Sequence, residues 1–277
     1  MALIGPDEDI PLGDVEHVVQ PWVEPEELST PYAHAVLDVY FLASDFGIEL
    51  SPDAIKRLHV LFDAMYKIDD WVDGTSDPGL AIKEVLSSLD PWVDQVEVSH
   101  EEVNHALTSL VNVIGPERLG AFQEIVLCVF DVNKRLKKAT DVDEFIELSQ
   151  EEGETTADMI LFVIADEVRD EFISFLRDMF KMVNLADDVK DLKMDNANGE
   201  KLIQPSWSFY KKTIPVLLDG GMSLARRFPD KSTLWVHALR ILLNVLNKRV
   251  PRFMMPKLPS EKANQVQRVI DILLGER

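Results

Sequence analysis

The chain has 277 residues, 46% apolar and 28% charged, a globular composition that excludes wholesale disorder and suffices to bury a sizeable core. Asp and Glu outnumber Lys and Arg by 49 to 28, and a net charge of −21 argues against nucleic acid or an anionic membrane as partner. The one cysteine, Cys128, excludes an internal disulfide and a cysteine-cluster metal site.

The first thirty residues are acidic and carry Pro6, Pro11, Pro21 and Pro25, which predicts an irregular arm over 1–30. The N-terminus lacks the basic and apolar regions of a signal peptide. The longest apolar runs, such as 159–165, fall far short of the roughly 18 residues that span a bilayer. A soluble, cytoplasmic protein with no membrane span is expected.

From residue 31 onward helix signals recur. Thr30-Pro31 opens the first helix and Gly47 closes it. Ser51-Pro52-Asp53 opens the second, which should reach about Asp73 and stop at Gly74. Ser99 and Glu102 form a capping box. Pro116 starts a helix whose apolar face is Phe122, Ile125, Val126, Val129 and Phe130. Asp141 or Asp143 caps the next, with a break expected at Gly153. A long helix should span 169–194, with Asn198-Gly199 as its stop. Further helices are expected from Ser206, over 230–249, and from Ser260 to about 274, with a Pro-rich interruption between the last two. Neither a strand pattern nor a glycine-rich phosphate loop is present. The expected architecture is all-α: one helical bundle of roughly ten helices over 31–277.

Two segments carry chemistry. Asp69-Asp70-x-x-Asp73 lies at the C-terminal end of a mostly apolar helix, where the spacing stacks carboxylates on one face. Anions at a helix C-terminus are unfavourable, and a bound cation would relieve them. Asp187, Asp191 and Asp195 fall at i, i+4 and i+8 near the end of the long helix, with Asp188 beside them. Two such ridges facing each other would hold two or three Mg²⁺ ions through hard oxygen ligands, and the ions would hold a diphosphate.

These motifs resemble those of the class I isoprenoid (terpene) synthases. That family has an Asp-Asp-x-x-Asp motif, matched by Asp69, Asp70 and Asp73. Its second metal motif is matched by Asp187-Asp188-Val189 with Asp191 and Asp195 at the remaining ligand positions. The likeness spans roughly residues 31 to 252 and is sharp at the two motifs. It implies Mg²⁺ on Asp69, Asp70, Asp73, Asp187, Asp191 and Asp195, with Asp188 orienting its neighbours or basic partners. It implies a prenyl diphosphate substrate, ionised to an allylic cation inside an aromatic-lined pocket, for which Phe62, Tyr66, Phe162, Trp207 and Phe209 are the candidates. The family's arginine diphosphate sensor has no counterpart in 145–154. Lys193, Arg249 and Arg252 are the candidate diphosphate partners.

Alternatives remain at this point. Asp187-Asp188-x-x-Asp191 also resembles the second motif of chain-elongating prenyl diphosphate synthases, but no arginine follows Asp73. Asn184 and Asp188 match part of the squalene/phytoene synthase pattern, and Leu192 breaks it. A non-catalytic acidic helical binding module is a third reading. A di-iron site would need Glu-x-x-His motifs from two separate helices and two further Glu, and Glu102-x-x-His105 supplies one such motif. A monomer and a homodimer are both compatible with the sequence.

Overall fold

Local capping chemistry and apolar spacing produce helices throughout the computed structural model, which describes residues 33–92, 98–229, 269 and 272. Eight α-helices follow in order among them: α1 (Ala33–Asp45), α2 (Pro52–Gly74), α3 (Pro78–Ser88), α4 (Glu101–Ile114), α5 (Pro116–Leu136), α6 (Val142–Ile164), α7 (Asp170–Asn198) and α8 (Trp207–Arg227). A 3-10 turn, Ala165–Glu167, joins α6 to α7. The described residues contain no strand, in keeping with an all-α chain. None of the described helices is long and apolar enough to cross a membrane. The expected N-terminal arm, the helices expected beyond residue 230, and both Arg249 and Arg252 lie outside the described residues.

Several expected helix ends are realised by their own side chains. Ser51 Oγ accepts from the Ala54 N–H at 3.1 Å, and Pro52 begins α2. Asp141, rather than Asp143, caps α6 by accepting from the Asp143 and Glu144 N–H groups. Ser206 caps α8 through the Phe209 N–H. Gly47 and Gly199 follow α1 and α7 at φ +68° and +79°, which a side chain would disfavour.

Three expectations are corrected. α6 is not broken at Gly153 but runs unbroken past it. The glycine serves packing: a Cβ there would stand 2.7 Å from the Phe180 carbonyl carbon of α7 and closer still to its oxygen. The cap of α4 is His100, whose Nδ1 accepts from the Val103 N–H, while the Ser99 N–H donates to Glu84. Finally, α3 is a helix that the sequence reading passed over, capped by Asp77 and burying Ala81 and Val85. Its Thr75-Ser76-Asp77-Pro78-Gly79 start has the composition of a turn.

α6 packs most extensively on α7 and also against α5, α2 and α8, so it is the central helix. Two apolar clusters result. The larger joins α1, α2 and α4 to the N-terminal half of α7 and the C-terminal half of α6, with Phe122, Phe172 and Phe175 inside. The second joins the end of α5, the start of α6, the later turns of α7 and the start of α8 around Phe145, Leu185, Leu192 and Phe209. Phe145 and Phe209 meet edge to face at 5.3 Å. Burying each such ring contributes about 1.5–3 kcal/mol. This second cluster is the floor under the acidic part of α7.

Candidate functional site

α2 delivers Asp69, Asp70 and Asp73 to its last turns, and all three are exposed. Desolvation first, then the Asp73 and Asp70 carboxylates, raise the Asp69 pKa above the ordinary aspartate value. Lys137, at the C-terminal cap of α5, acts in the opposite direction. The helix dipole adds to the crowding, because the C-terminal end carries partial negative charge.

The acidic stretch of α7 is organised differently from its sequence spacing. Asp187 is exposed and Asp191 is about one-third exposed, and both reach Lys190, at 2.8 and 3.3 Å. The inward stripe is Asn184, Asp188 and Asp195, one helix face at i, i+4 and i+11. Asp188 and Asp195 both close on Lys201, with Nζ to carboxylate distances of 2.5 and 3.0 Å. Burial works against the Lys201 ammonium, but the two carboxylates outweigh it and hold the pKa above the ordinary lysine value. The Phe145 ring lies 5.8 Å from the same Nζ.

A half-buried amide and carboxylate network ties this stripe to the neighbouring helices. Glu152 of α6 accepts from Asn133 Nδ2 of α5 at 2.7 Å and from Asn184 Nδ2 of α7 at 3.1 Å. Asn184 Nδ2 also donates to the Ser149 carbonyl at 2.9 Å. Burial, with Asp188 adding to it, raises the Glu152 pKa despite the two amide hydrogen bonds and Lys201. The Ser149 hydroxyl is fully buried and has no hydrogen-bond partner among the described residues.

The end of α5 therefore relates the two acidic helices. Asn133 connects through Glu152 to α7, and Lys137, one turn further on, bears on Asp69 of α2. Among the described residues, however, no three carboxylate, imidazole or thiol groups come together as a group able to hold a metal ion.

The other candidate residues are dispersed. Lys193 is exposed on α7. Phe62 and Phe162 belong to the larger apolar cluster, where Arg118 lies over the Phe162 ring at 4.4 Å, and Phe209 belongs to the second cluster. Tyr66 is 43% and Trp207 82% exposed, so these five aromatics do not share one wall. Two clefts are lined mainly by charged and polar residues instead. One, of about 660 Å³, lies between α2 and α4 and is lined by Lys67, Glu101, Glu102 and His105, among others. The second, of about 380 Å³, is lined from α6 and α7 by Glu154, Asp170, Arg177 and Asp178, among others. Neither includes a ridge carboxylate or any of the five aromatics.

Sequence reasoning assigned no role to Lys201, Lys190, Glu152 or Asn133. Lys190 could have been found from its position between Asp187 and Asp191, since i, i+3 pairs share a helix face. The basic run Lys134-Arg135-x-Lys137-Lys138 reads as an ordinary helix end, and only the fold brings Lys137 toward Asp69. No protein-family model, curated protein or solved structure matches this chain.

Proposed function

We propose that this chain is a Mg²⁺-dependent enzyme of the class I terpene synthase kind. It would ionise a linear prenyl diphosphate and release diphosphate together with a terpene hydrocarbon or alcohol. What supports this reading is the pair of aspartate motifs, carried by α2 and α7 of an all-α chain, with the end of α5 linked through Glu152 to α7 and bearing through Lys137 on Asp69.

The fit to a hard divalent ion differs between the ridges. On α2 three exposed carboxylates, with Asp69 crowded by its neighbours, suit oxygen-ligated Mg²⁺. On α7 the fit is confined to Asp187 and Asp191, which share one lysine, because Asp195 is committed to Lys201. When bound, Mg²⁺ would stabilise the negative charge that gathers on the departing diphosphate.

The remaining work would fall to the chain. The C–O bond breaks with its electron pair leaving on the diphosphate oxygen. The allylic cation left behind then loses a proton or takes up water. Asp69, Asp70 and Asp73 would fix where the diphosphate end sits. Lys137, which acts to lower the Asp69 pKa, would draw the diphosphate toward α5. Aromatic faces stabilise positive charge and exclude water. Phe145 lies 5.8 Å from Lys201 Nζ beside the α7 stripe, and Phe209 meets it edge to face.

The pairing of the four α7 aspartates with Lys190 and Lys201 favours a second reading, a non-catalytic helical module that binds a partner. The experiment is incubation with geranyl, farnesyl and geranylgeranyl diphosphate, with and without Mg²⁺, and mass analysis of the organic extract. A Mg²⁺-dependent product of unchanged carbon number supports the synthase. A longer product with added isopentenyl diphosphate supports a condensing prenyltransferase. No product from any substrate supports the binding module.

A further inference from the structure

The α7 stripe already holds a cation. Lys201 follows the αL residue Gly199 and is directed back onto the helix that precedes it. Its placement is fixed by more than charge. Its own N–H and that of Glu200 donate to the Asp195 carbonyl. Asn196 Nδ2 donates to the Lys201 and Ile203 carbonyls, each at 3.0 Å. Ile203 is buried in the second cluster, which anchors the far side of this short connection.

The side chain thus enters a pre-set position. Nζ lies 2.5 Å from Asp188 and 3.0 Å from Asp195, with side-chain exposures of 10% for the lysine and 13% and 15% for the carboxylates. An ion pair so far removed from water is held by its geometry, and withdrawing one partner leaves an uncompensated buried charge. A divalent ion placed between Asp188 and Asp195 would need the same oxygens and would have to expel the ammonium.

We infer that Lys201 Nζ is the resident cation of the α7 ridge and stands where a metal ion would bridge Asp188 and Asp195. The inference rests on reading the two aspartate motifs as a cation site. It assigns metal binding to Asp69, Asp70 and Asp73, with Asp187 and Asp191, and removes Asp195 from the ligand set. Lys201 is then a positioning residue that offsets part of the charge of the α7 face and keeps its carboxylates ordered.

The test is Mn²⁺ binding to the full chain, read by calorimetry and by the electron paramagnetic resonance signal of free Mn²⁺. Asp195→Asn should leave the wild-type Mn²⁺ stoichiometry unchanged and its affinity within twofold. Lys201→Met keeps the aliphatic stem and should add a Mn²⁺ site that Asp195→Asn removes. Loss of a Mn²⁺ site in Asp195→Asn alone, or no added site in Lys201→Met, overturns the inference. A labelling measurement decides the matter if Lys201→Met does not fold. In the wild type, acetic anhydride should modify Lys201 at least tenfold more slowly than exposed Lys193, and Asp188→Asn should abolish that protection. Equal labelling of the two lysines in the wild type overturns the inference. The outcome for the proposed function is read separately: if Asp70→Asn leaves Mn²⁺ binding unchanged, the α2 ridge is not a metal site, whatever Lys201 does.

Discussion

Replacing Gly153 by alanine tests the packing that brings the site's helices together. At this position α6 crosses α7 so closely that an alanine Cβ would lie 2.7 Å from the Phe180 carbonyl carbon. Carbon atoms in contact prefer about 3.5–4.0 Å, so the helices must separate locally by roughly 1 Å. The obstacle is backbone, which has no rotamer to retreat into. Overpacking of this kind costs about 1–3 kcal/mol. The same 1 Å would stretch the Asn184 hydrogen bonds to the Ser149 carbonyl and Glu152, now 2.9 and 3.1 Å, beyond useful length. Each lost bond adds about 1 kcal/mol. Alanine returns about 1 kcal/mol through its helix propensity. The net expectation is a destabilisation of about 2–4 kcal/mol, or a Tm lower by about 4–12 °C for a domain of this size. Thermal unfolding followed by circular dichroism at 222 nm measures it. Gly220→Ala is the control, because a Cβ there meets only the flexible Met182 side chain. Its Tm should move by less than about 3 °C. A Gly153→Ala protein as stable as the wild type would refute the close-approach argument.

Two further predictions concern charge. Glu167 accepts from the Ser51 N–H and Oγ, each at 2.7 Å, and from Arg57 at 3.2 Å, which fastens the start of α2 to the turn after α6. Burial alone would raise its pKa, but these donors prevail and hold it below the ordinary glutamate value. Its contribution to stability is therefore present above the unfolded-state value of about 4.3 and is lost as pH falls through the lowered folded-state value. Glu167→Ala should cost about 2–3 kcal/mol at pH 7 and progressively less in that acid window, read from urea midpoints. An undiminished cost at pH 2.5 would contradict the assignment. Asp69→Asn removes a carboxylate that desolvation and Asp73 already disfavour. Without divalent ions its Tm should rise above the wild type, whereas Mg²⁺ should raise the wild-type Tm and leave the variant's unchanged. A lower Tm for the variant in chelator would show that Asp69 serves the fold instead.

Legibility followed the range of the forces involved. Helix starts at Ser51-Pro52, Pro116 and Ser206, and the stop at Gly199, depend on a few consecutive residues and were readable directly. Gly153 was misread because its role is set by α7, which lies some thirty residues away in sequence. The α7 ridge was read at i, i+4 and i+8, which selected Asp187. The helix instead turns Asn184, Asp188 and Asp195 inward, because Leu185 and Leu192 beside them anchor the second cluster. Lys201 was invisible for a related reason: a buried lysine is placed by the two carboxylates that meet it, and nothing in the local sequence distinguishes it from a surface one.

The most direct test of the proposed chemistry is release of inorganic diphosphate from farnesyl diphosphate, followed by a coupled phosphate assay, for the wild type and Asp70→Asn with Mg²⁺ in excess. The account predicts Mg²⁺-dependent release by the wild type and a loss of at least about 100-fold in the variant, the scale of removing one electrostatic element from a reacting site. If geranyl and geranylgeranyl diphosphate are tried in parallel and the wild type and Asp70→Asn release diphosphate at the same rate from all three, or neither releases any, the aspartate ridges do not ionise a prenyl diphosphate.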